Sequence, residues 1–250
     1  MLSDRREAVI MIPARLESSR LPGKLLLNST GKPLIQHTYE AASQSRLASR
    51  ILVATDSKEI AQAVCAFGGN VIITSPTYQT GTDRIAEAAA TIEADAIVNV
   101  QGDEPMITGA AIDLVIRALD NAEMATLATP IRSLDALHDR SCVKVVLNRS
   151  GRAIYFSRSA IPCPGDGEAS LDNSTAPYLQ HIGVYGYRRD LLLKLARMPR
   201  SPLEVAEGLE QLRAIESGHE IAVELVDQPI FGINTPADYE AFVAQAAGGT

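Results

Sequence analysis

The chain is 250 residues long, 46% hydrophobic and 21% charged, which suits one folded domain with a substantial core and excludes a disordered, collagen-like or disulfide-dense protein. Lys and Arg number 23 against 30 Asp and Glu, a net charge of -7, so a general affinity for nucleic acid or an anionic membrane is excluded and any phosphate ligand needs a local site. Cys65, Cys142 and Cys163 are odd in number and lack CxxC spacing. They argue against a disulfide framework or structural zinc and for a reducing, cytoplasmic setting. The first apolar run, Ala8–Ile12, is too short for a signal-peptide core, and no run approaches the ~20 apolar residues of a membrane span.

Ala8–Pro13 (AVIMIP) reads as a buried strand, followed by a helix over Pro33–Arg46, a strand over Arg50–Thr55 and a helix over Ser57–Phe67 with Asp56 as N-cap. Gly68-Gly69 stops that helix. Asn70–Thr74 is a third strand, Thr82–Glu93 a helix and Ala96–Val100 a fourth strand. Continuous apolar runs in this alternation predict an α/β fold: a Rossmann-like, open, mostly parallel sheet with helices on both faces. The middle of the chain departs from the pattern. Met124–Pro130, Val143–Leu147, Arg152–Ser157 and His181–Tyr187 are strand-like with few helices between, Asn148–Gly151 is a turn, and Ser159–Pro177 is a long loop bearing proline and glycine. Helix returns at Pro202–Glu216, then a strand at Ile221–Val226 and a helix at Pro236–Ala246. The expected organisation is a single domain, with a nucleotide-binding core from about residues 1–122 and 220–250 and a smaller β-rich insertion lobe from about 123–219 that carries substrate contacts.

Ligands of open parallel sheets sit beyond the carboxyl ends of the strands. The loop leaving the first strand, Arg15 to Lys24, holds three cations (Arg15, Arg20 and Lys24) with Ser18, Ser19 and Gly23. An Arg fork grips two oxygens at once and a Lys acts as a movable point charge, so the composition suits phosphate. From composition alone a solvated basic loop reads equally well. The order GxxxxGK[ST] is absent, and so is GxGxxG, which disfavours a Walker-type loop and a Rossmann dehydrogenase.

Several motifs follow in a fixed order. PAR…SSRLPGK opens the chain. Ala54-Thr55-Asp56 follows the second strand, then Gln79-Thr80-Gly81-Thr82-Asp83-Arg84, and Val98-Asn99-Val100-Gln101-Gly102-Asp103-Glu104-Pro105 ends the fourth strand. Later come Val143-Lys144-Val145-Val146, Tyr155-Phe156-Ser157-Arg158, HIGVYGYR from His181, and Ser201-Pro202-Leu203-Glu204 with Leu209-Glu210-Gln211-Leu212-Arg213. The ordered set, spanning about residues 8–245, resembles the sugar nucleotidyltransferases that activate acidic sugars with CTP, and within them the 3-deoxy-manno-octulosonate cytidylyltransferase (CMP-Kdo synthetase) family.

The resemblance implies a nucleotide-diphospho-sugar transferase type of fold. The implied reaction is attack of the anomeric hydroxyl of Kdo on the α-phosphorus of CTP with release of pyrophosphate, dependent on Mg²⁺, for lipopolysaccharide biosynthesis. It implies a homodimer joined through the insertion region. Catalysis would fall to Arg15, Lys24 and Asp103, and nucleotide binding to Ala14, Arg15, Ser19, Lys24, Thr55, Asp56, Gly81, Thr82, Arg84 and Gln101. Gln101, Arg158, His181, Tyr185, Glu210 and Gln211 would hold the sugar, and Asp103 with Asn234 the metal.

Residue chemistry bears on these roles separately. Helix capping alone explains Thr82, whereas Arg84 in a first helical turn opposes the helix dipole and so favours a ligand contact. Asp103, at a strand's carboxyl end beside a phosphate loop, is placed for Mg²⁺; Asp103 and Glu104 also read as turn residues before Pro105. Arg158 offers a bidentate grip for a sugar carboxylate. His181 alternates with Gly183 and Tyr185 on one strand face. At about 100° per residue a helix from Pro202 places Val205, Leu209 and Leu212 on an apolar stripe, with Glu204, Glu207 and Gln211 inside an arc of about 60°; Glu204 and Glu207 read as a solvated acidic face. One position departs from the family pattern. In Gly232-Ile233-Asn234-Thr235-Pro236, Asn234 stands where the family has Asp, an amide in place of a carboxylate, and Asp238 falls inside the next helix. This departure predicts weaker or altered metal binding, and it leaves open a changed acceptor, such as an amino-substituted Kdo, or a nucleotide-binding relative without turnover; a relative that activates another acidic sugar, such as a sialic acid, is a separate alternative that the HIGVYGYR and SPLE…LEQLR elements disfavour.

Overall fold

The structure, a computed structural model, describes residues 7–18, 20–78, 80–165, 169–171 and 178–248. Its centre is β1 (Ala8–Ala14), buried along its whole length. β2 (Ala48–Thr55) and β4 (Ala96–Asn99) flank β1 in parallel, and β3 (Val71–Ile73) extends the sheet beyond β2. Beyond β4 lies β8 (Leu179–Arg188), antiparallel to both of its neighbours, then β5 (Met124–Pro130) and β9 (Ile221–Leu225), which run parallel to each other. The sheet order is β3-β2-β1-β4-β8-β5-β9, with β6 (Lys144–Leu147) and β7 (Ala153–Ser157) forming an antiparallel pair attached to β8.

Alternation along β1 divides the core. Ala8, Ile10 and Ile12 join one cluster with Ile35 of α1 (Leu34–Ala42), Ile60 and Val64 of α2 (Lys58–Ala66) and Ile112 and Val115 of α4 (Gly109–Ala118). Val9 and Met11 face the opposite cluster, with Ile85 and Ala89 of α3 (Gly81–Ala90) and Leu191 and Leu195 of α6 (Arg189–Arg197). A strand covered on both faces has no polar side to show, which is why β1 reads as an unbroken apolar run. The predicted fold class stands. The strands of the 123–219 segment extend the main sheet through β5 and β8, and β6 and β7 alone leave its path.

Several local expectations are corrected. The N-cap of α2 is Ser57, whose side chain accepts from the Ile60 amide, and not Asp56. Thr80 caps α3 by accepting from the Asp83 amide at 3.1 Å, which leaves Thr82 inside the helix. The sequence reading missed α4, α5 (Leu134–His138) and α6. The continuous helix expected over Pro202–Glu216 is two short ones, α7 (Pro202–Glu207) and α8 (Leu212–Glu216). Gly208 breaks them apart: its φ of 64° lies in the left-handed region, which favours glycine. The apolar stripe therefore dissolves, and Val205 is 59% exposed.

Glu204 and Glu207 are not a solvated face. Glu204 is fully buried, completes a capping box with Ser201, and receives both arms of Arg213, Nε at 2.8 Å and Nη2 at 2.6 Å. Glu207 accepts from the Ser157 hydroxyl at 2.6 Å and the Arg158 amide at 3.0 Å. Lys144 is also fully buried; its ammonium donates to the carbonyls of Asp139, Cys142 and Arg158, so a charge inside the fold is matched by three acceptors. α9 (Pro236–Gly248) closes the chain and packs Tyr239 and Phe242 on Leu34.

Removing one partner of a buried ion pair strands the other. Glu204→Ala leaves the Arg213 guanidinium buried and opens the cap of α7, so the variant is expected to lose about 3–5 kcal/mol of stability. Equilibrium urea unfolding measures it; a loss below about 1 kcal/mol would show that the pair contributes little.

Candidate active site

β1 and β4 are parallel neighbours, so their carboxyl ends open at one edge of the sheet. Gly102 allows these ends to approach closely. A Cβ at this position would sit 3.3 Å from the Pro13 carbonyl oxygen and 3.1 Å from Ile35 Cδ1. Between the two ends is a cavity of about 360 Å³. The first strand and its loop supply Ala14, Arg15, Glu17, Ser18, Arg20 and Lys24 to its wall. Tyr78, Thr80, Gly81 and Arg84 come from the start of α3 and the loop before it, Gln101 and Asp103 from the end of β4, and Glu210 and Asn234 from the later chain.

Three segments distant in sequence are tied together here. Lys24 Nζ forms an ion pair with Asp103 Oδ2 and donates to the Ile233 carbonyl at 3.1 Å. The Ile233 amide donates to the Asp103 carbonyl at 2.8 Å. Arg20 Nη2 donates to Asn234 Oδ1 at 2.8 Å, and Asn234 Nδ2 donates to the Gly232 carbonyl at 3.2 Å. Arg15 is exposed on the wall.

The structure thus gathers Ala14, Arg15, Lys24, Gly81, Arg84, Gln101, Asp103, Glu210 and Asn234 of the expected residues around one space. Arg84 reaches this wall while almost wholly buried, donating to Thr74 Oγ1 at 2.6 Å and Asp56 Oδ2 at 3.0 Å. Asp56 is therefore the partner of Arg84, and the buried Thr55 accepts from the Ser57 amide at 3.1 Å. Ser19 lies outside the described residues, as do 166–168 and 172–177 of the long loop. Thr82, freed from capping, puts its hydroxyl within hydrogen-bonding reach of Glu210 and Tyr187. Burial pushes the Glu210 carboxyl above its ordinary range, and the Thr82 contact opposes the rise.

Four expected sugar residues stand off the cavity wall. Arg158 directs its guanidinium to the carbonyls of Glu207 at 2.9 Å and Arg140 at 3.1 Å. Gln211 is buried, and its Nε2 has no hydrogen-bond partner. Tyr185 and His181 pack ring on ring at 5.2 Å, with Phe156 edge-on to His181 at 5.0 Å. Tyr185 is raised well above its usual range by burial, with Tyr187, Glu210 and Glu104 adding to the rise. Sequence reasoning passed over Glu104 as structural. It is buried behind Asp103, its Oε2 lacks a partner, and burial, helped by the Asp103 charge, pushes it up to about 8. An acid directly after a buried strand and before Pro105 was the signal for it.

Asp238 is not a metal ligand in waiting, because its carboxylate accepts the amides of Asn234 at 2.9 Å and Thr235 at 2.8 Å. Among the described residues no group of three or more His, Cys, Asp or Glu forms a cage for a metal ion. The donors present are hard oxygens, one carboxylate and one amide. Such a set fits Mg²⁺, which takes one or two carboxylates and completes its shell with substrate phosphates and water.

An open α/β sheet with a cation-lined cavity beyond the ends of β1 and β4 suits a nucleotidyltransferase, and the chain belongs to the cytidylyltransferase family, whose sequence profile matches residues 9–221. A 3-deoxy-manno-octulosonate cytidylyltransferase of Geobacter metallireducens is 48% identical over 242 residues, 93% of this chain and 95% of that one. The enzyme of the same name from Rhodopirellula baltica is 47% identical over 245 residues, 96% and 98% of the two chains. A solved CMP:2-keto-3-deoxy-manno-octonic acid synthetase complexed with CTP is 43% identical, with a TM-score of 0.91, covering 98% of this chain and 100% of that one. A cytidylyltransferase from Leptospira borgpetersenii, 19% identical with a TM-score of 0.65 over 98% and 88% of the chains, shares the fold.

Burial pushes the His181 imidazole down to about 3 from an ordinary 6.5. As pH falls the unfolded chain takes up this proton first. The stability held by the neutral ring is therefore complete above 6.5 and is lost as pH falls from 6.5 toward 3. Relative to His181→Gln, the parent chain is expected to lose about 2 kcal/mol between pH 7.5 and 5 in urea unfolding, from roughly 1.4 kcal/mol per pH unit below the unfolded value. Coincident pH profiles for the two chains would mean that the ring titrates normally.

Proposed function

We infer that the chain transfers the cytidylyl group of CTP to the anomeric hydroxyl of 3-deoxy-manno-octulosonate (Kdo), yielding CMP-Kdo and pyrophosphate for lipopolysaccharide biosynthesis. The observation that carries this is the cavity itself. Arg15, Arg20, Lys24, Asp103, Gln101 and Glu210 line one space of about 360 Å³ in a chain 43% identical to a CTP-bound synthetase.

Transfer at phosphorus calls for positioning and charge stabilisation more than for covalent help. Arg15 and Lys24 bind the triphosphate and stabilise the charge that builds on the leaving pyrophosphate. Their loop starts on a fully buried strand, so these cations sit on a rigid base. Arg84, held by Asp56 and Thr74, presents a fixed donor to the nucleotide. Gln101 stands at the junction of nucleotide and sugar, where its amide can orient the attacking hydroxyl. Glu210 accepts from sugar hydroxyls. Asp103 and Asn234 are the residues that would hold Mg²⁺, which when bound polarises the phosphate and lowers the pKa of a nearby hydroxyl.

The reading extends to a cytoplasmic homodimer. Cys65, Cys142 and Cys163 are free thiols, which supports a reducing compartment, and among the described residues no helix is long and apolar enough to cross a membrane. Ile154 of β7 and Val205 of α7, 54% and 59% exposed, supply apolar surface for a partner on the insertion side.

Pyrophosphate release with CTP, Kdo and Mg²⁺ tests the activity, with UTP and GTP as controls for the base and a sialic acid as control for the sugar. Turnover is expected with CTP and Kdo, and Arg15→Ala or Asp103→Asn should lower kcat/KM by roughly 10²-fold or more. Absence of pyrophosphate release from the parent chain, or an Asp103→Asn variant of undiminished activity, would overturn the assignment.

A further inference from the structure

Two oxygens of this cavity suited to a divalent ion are each occupied by a cation of the chain itself. Lys24 Nζ pairs with Asp103 Oδ2, and Arg20 Nη2 donates to Asn234 Oδ1 at 2.8 Å. The amide of Asn234 is turned by its other end, where Nδ2 donates to the Gly232 carbonyl, so its oxygen faces Arg20. Both cations belong to the loop between β1 and Leu25, and both donate to the segment 232–234, since Lys24 also reaches the Ile233 carbonyl at 3.1 Å. The remaining acids on the wall offer no replacement. Glu17 is exposed, and neither it nor Glu210 joins Asp103 in a group of three metal-binding side chains among the described residues.

We propose that Lys24 and Arg20 hold the divalent-ion position shut in the free protein, and that a nucleotide opens it by drawing both cations onto its phosphates. The proposal rests on the nucleotidyltransferase reading and adds an order of binding to it: nucleotide first, divalent ion second. The physical basis is competition for charge. An ion approaching Asp103 in the free protein meets a carboxylate already neutralised by an ammonium, and meets that ammonium's repulsion as well. Both side chains of the pair are less than one-fifth exposed, so water screens them incompletely. A triphosphate offers Lys24 and Arg20 several anionic oxygens at once, a stronger set of partners than one carboxylate and one amide. Once the cations turn to it, Asp103 is free of its counter-ion and the Asn234 oxygen of its donor, so both are open to the divalent ion.

The test is Mn²⁺ binding to the nucleotide-free protein, read from the free-ion signal in electron paramagnetic resonance, with neither CTP nor sugar present. The parent chain is expected to bind Mn²⁺ weakly. Lys24→Gln should tighten binding by about tenfold, Arg20→Gln by a smaller factor of about three, and Asp103→Asn added to Lys24→Gln should abolish the gain. With CTP added, the parent protein should retain more Mn²⁺ than CTP and the Lys24→Gln/Asp103→Asn double variant retain under the same conditions. Arg20 is exposed, so its variant carries the test should Lys24→Gln fail to fold. Folded Lys24→Gln and Arg20→Gln proteins that bind Mn²⁺ no more tightly than the parent would overturn the proposal. That result is separate from failure of the functional reading, which shows as absence of CTP turnover by the parent chain.

Discussion

The ion pair between Lys24 and Asp103 joins the two strand ends on which the cavity is built. It connects the loop after β1 to the loop after β4, and through the Ile233 carbonyl it also fastens the segment that leads into α9. A chain of net charge -7 cannot hold a polyanion by overall attraction, so its cations must be fixed at one place. A fixed cation needs an anionic or carbonyl partner to direct it. Here the partner is Asp103, the carboxylate proposed above to hold the divalent ion. One contact therefore bears on both the resting geometry of the site and its charge balance.

The sheet determines where that contact can form. β1 is buried on both faces, so its only outlet to solvent is its carboxyl end, and β4 beside it ends at the same edge. The reversal at β8 then brings the chain back along β4, with Tyr185 opposite Asn99 and also opposite Thr126 of β5. Thr126 binds the His181 ring at 3.0 Å and the Ile182 and Val184 carbonyls, stitching the register irregularity between β5 and β8. A polar and aromatic group of residues thus lies in the sheet behind the nucleotide cavity. It joins the parallel half of the sheet to the β6–β7 pair, and Lys144 with its three carbonyl acceptors holds that pair in place.

What the sequence revealed and what it concealed follow from how local each determinant is. β1, β4 and the second half of β2, Leu52–Thr55, were legible because burial leaves an apolar run. That the loop after β1 lines a cavity was legible because three cations and a glycine follow the first of these runs directly. α4 was missed because its run Gly109–Ala118 is nearly as apolar as a strand, and length alone separates the two for a buried element. The caps were misplaced by one or two residues, at Asp56 and Thr82, since Ser57 and Thr80 offer the same oxygen chemistry nearby. The solvated reading of Glu204 failed for a different reason. Its partner Arg213 lies beyond the break at Gly208, and a helical wheel drawn through that break cannot bring the two together.

The same logic ranks the cations of the site by what each has left to give a ligand. Arg84 is neutralised by Asp56 and locked by Thr74, so it contributes direction more than charge. Lys24 is neutralised as well, but its partner is a single carboxylate on the cavity wall, and its flexible stem lets it transfer to another anion. Arg20 donates to a neutral amide, with the Asp238 carboxylate near enough to interact with it through charge. Arg15 is exposed and has no hydrogen-bond or ion-pair partner among the described residues. A carboxylate at position 234 would pair with Arg20 and remove one unit of positive field from the wall. With an amide there, the loop holds more net positive charge toward the phosphates, and Asp103, once released by Lys24, is the carboxylate of that corner open to a divalent ion, since Asp238 is held by the Asn234 and Thr235 amides.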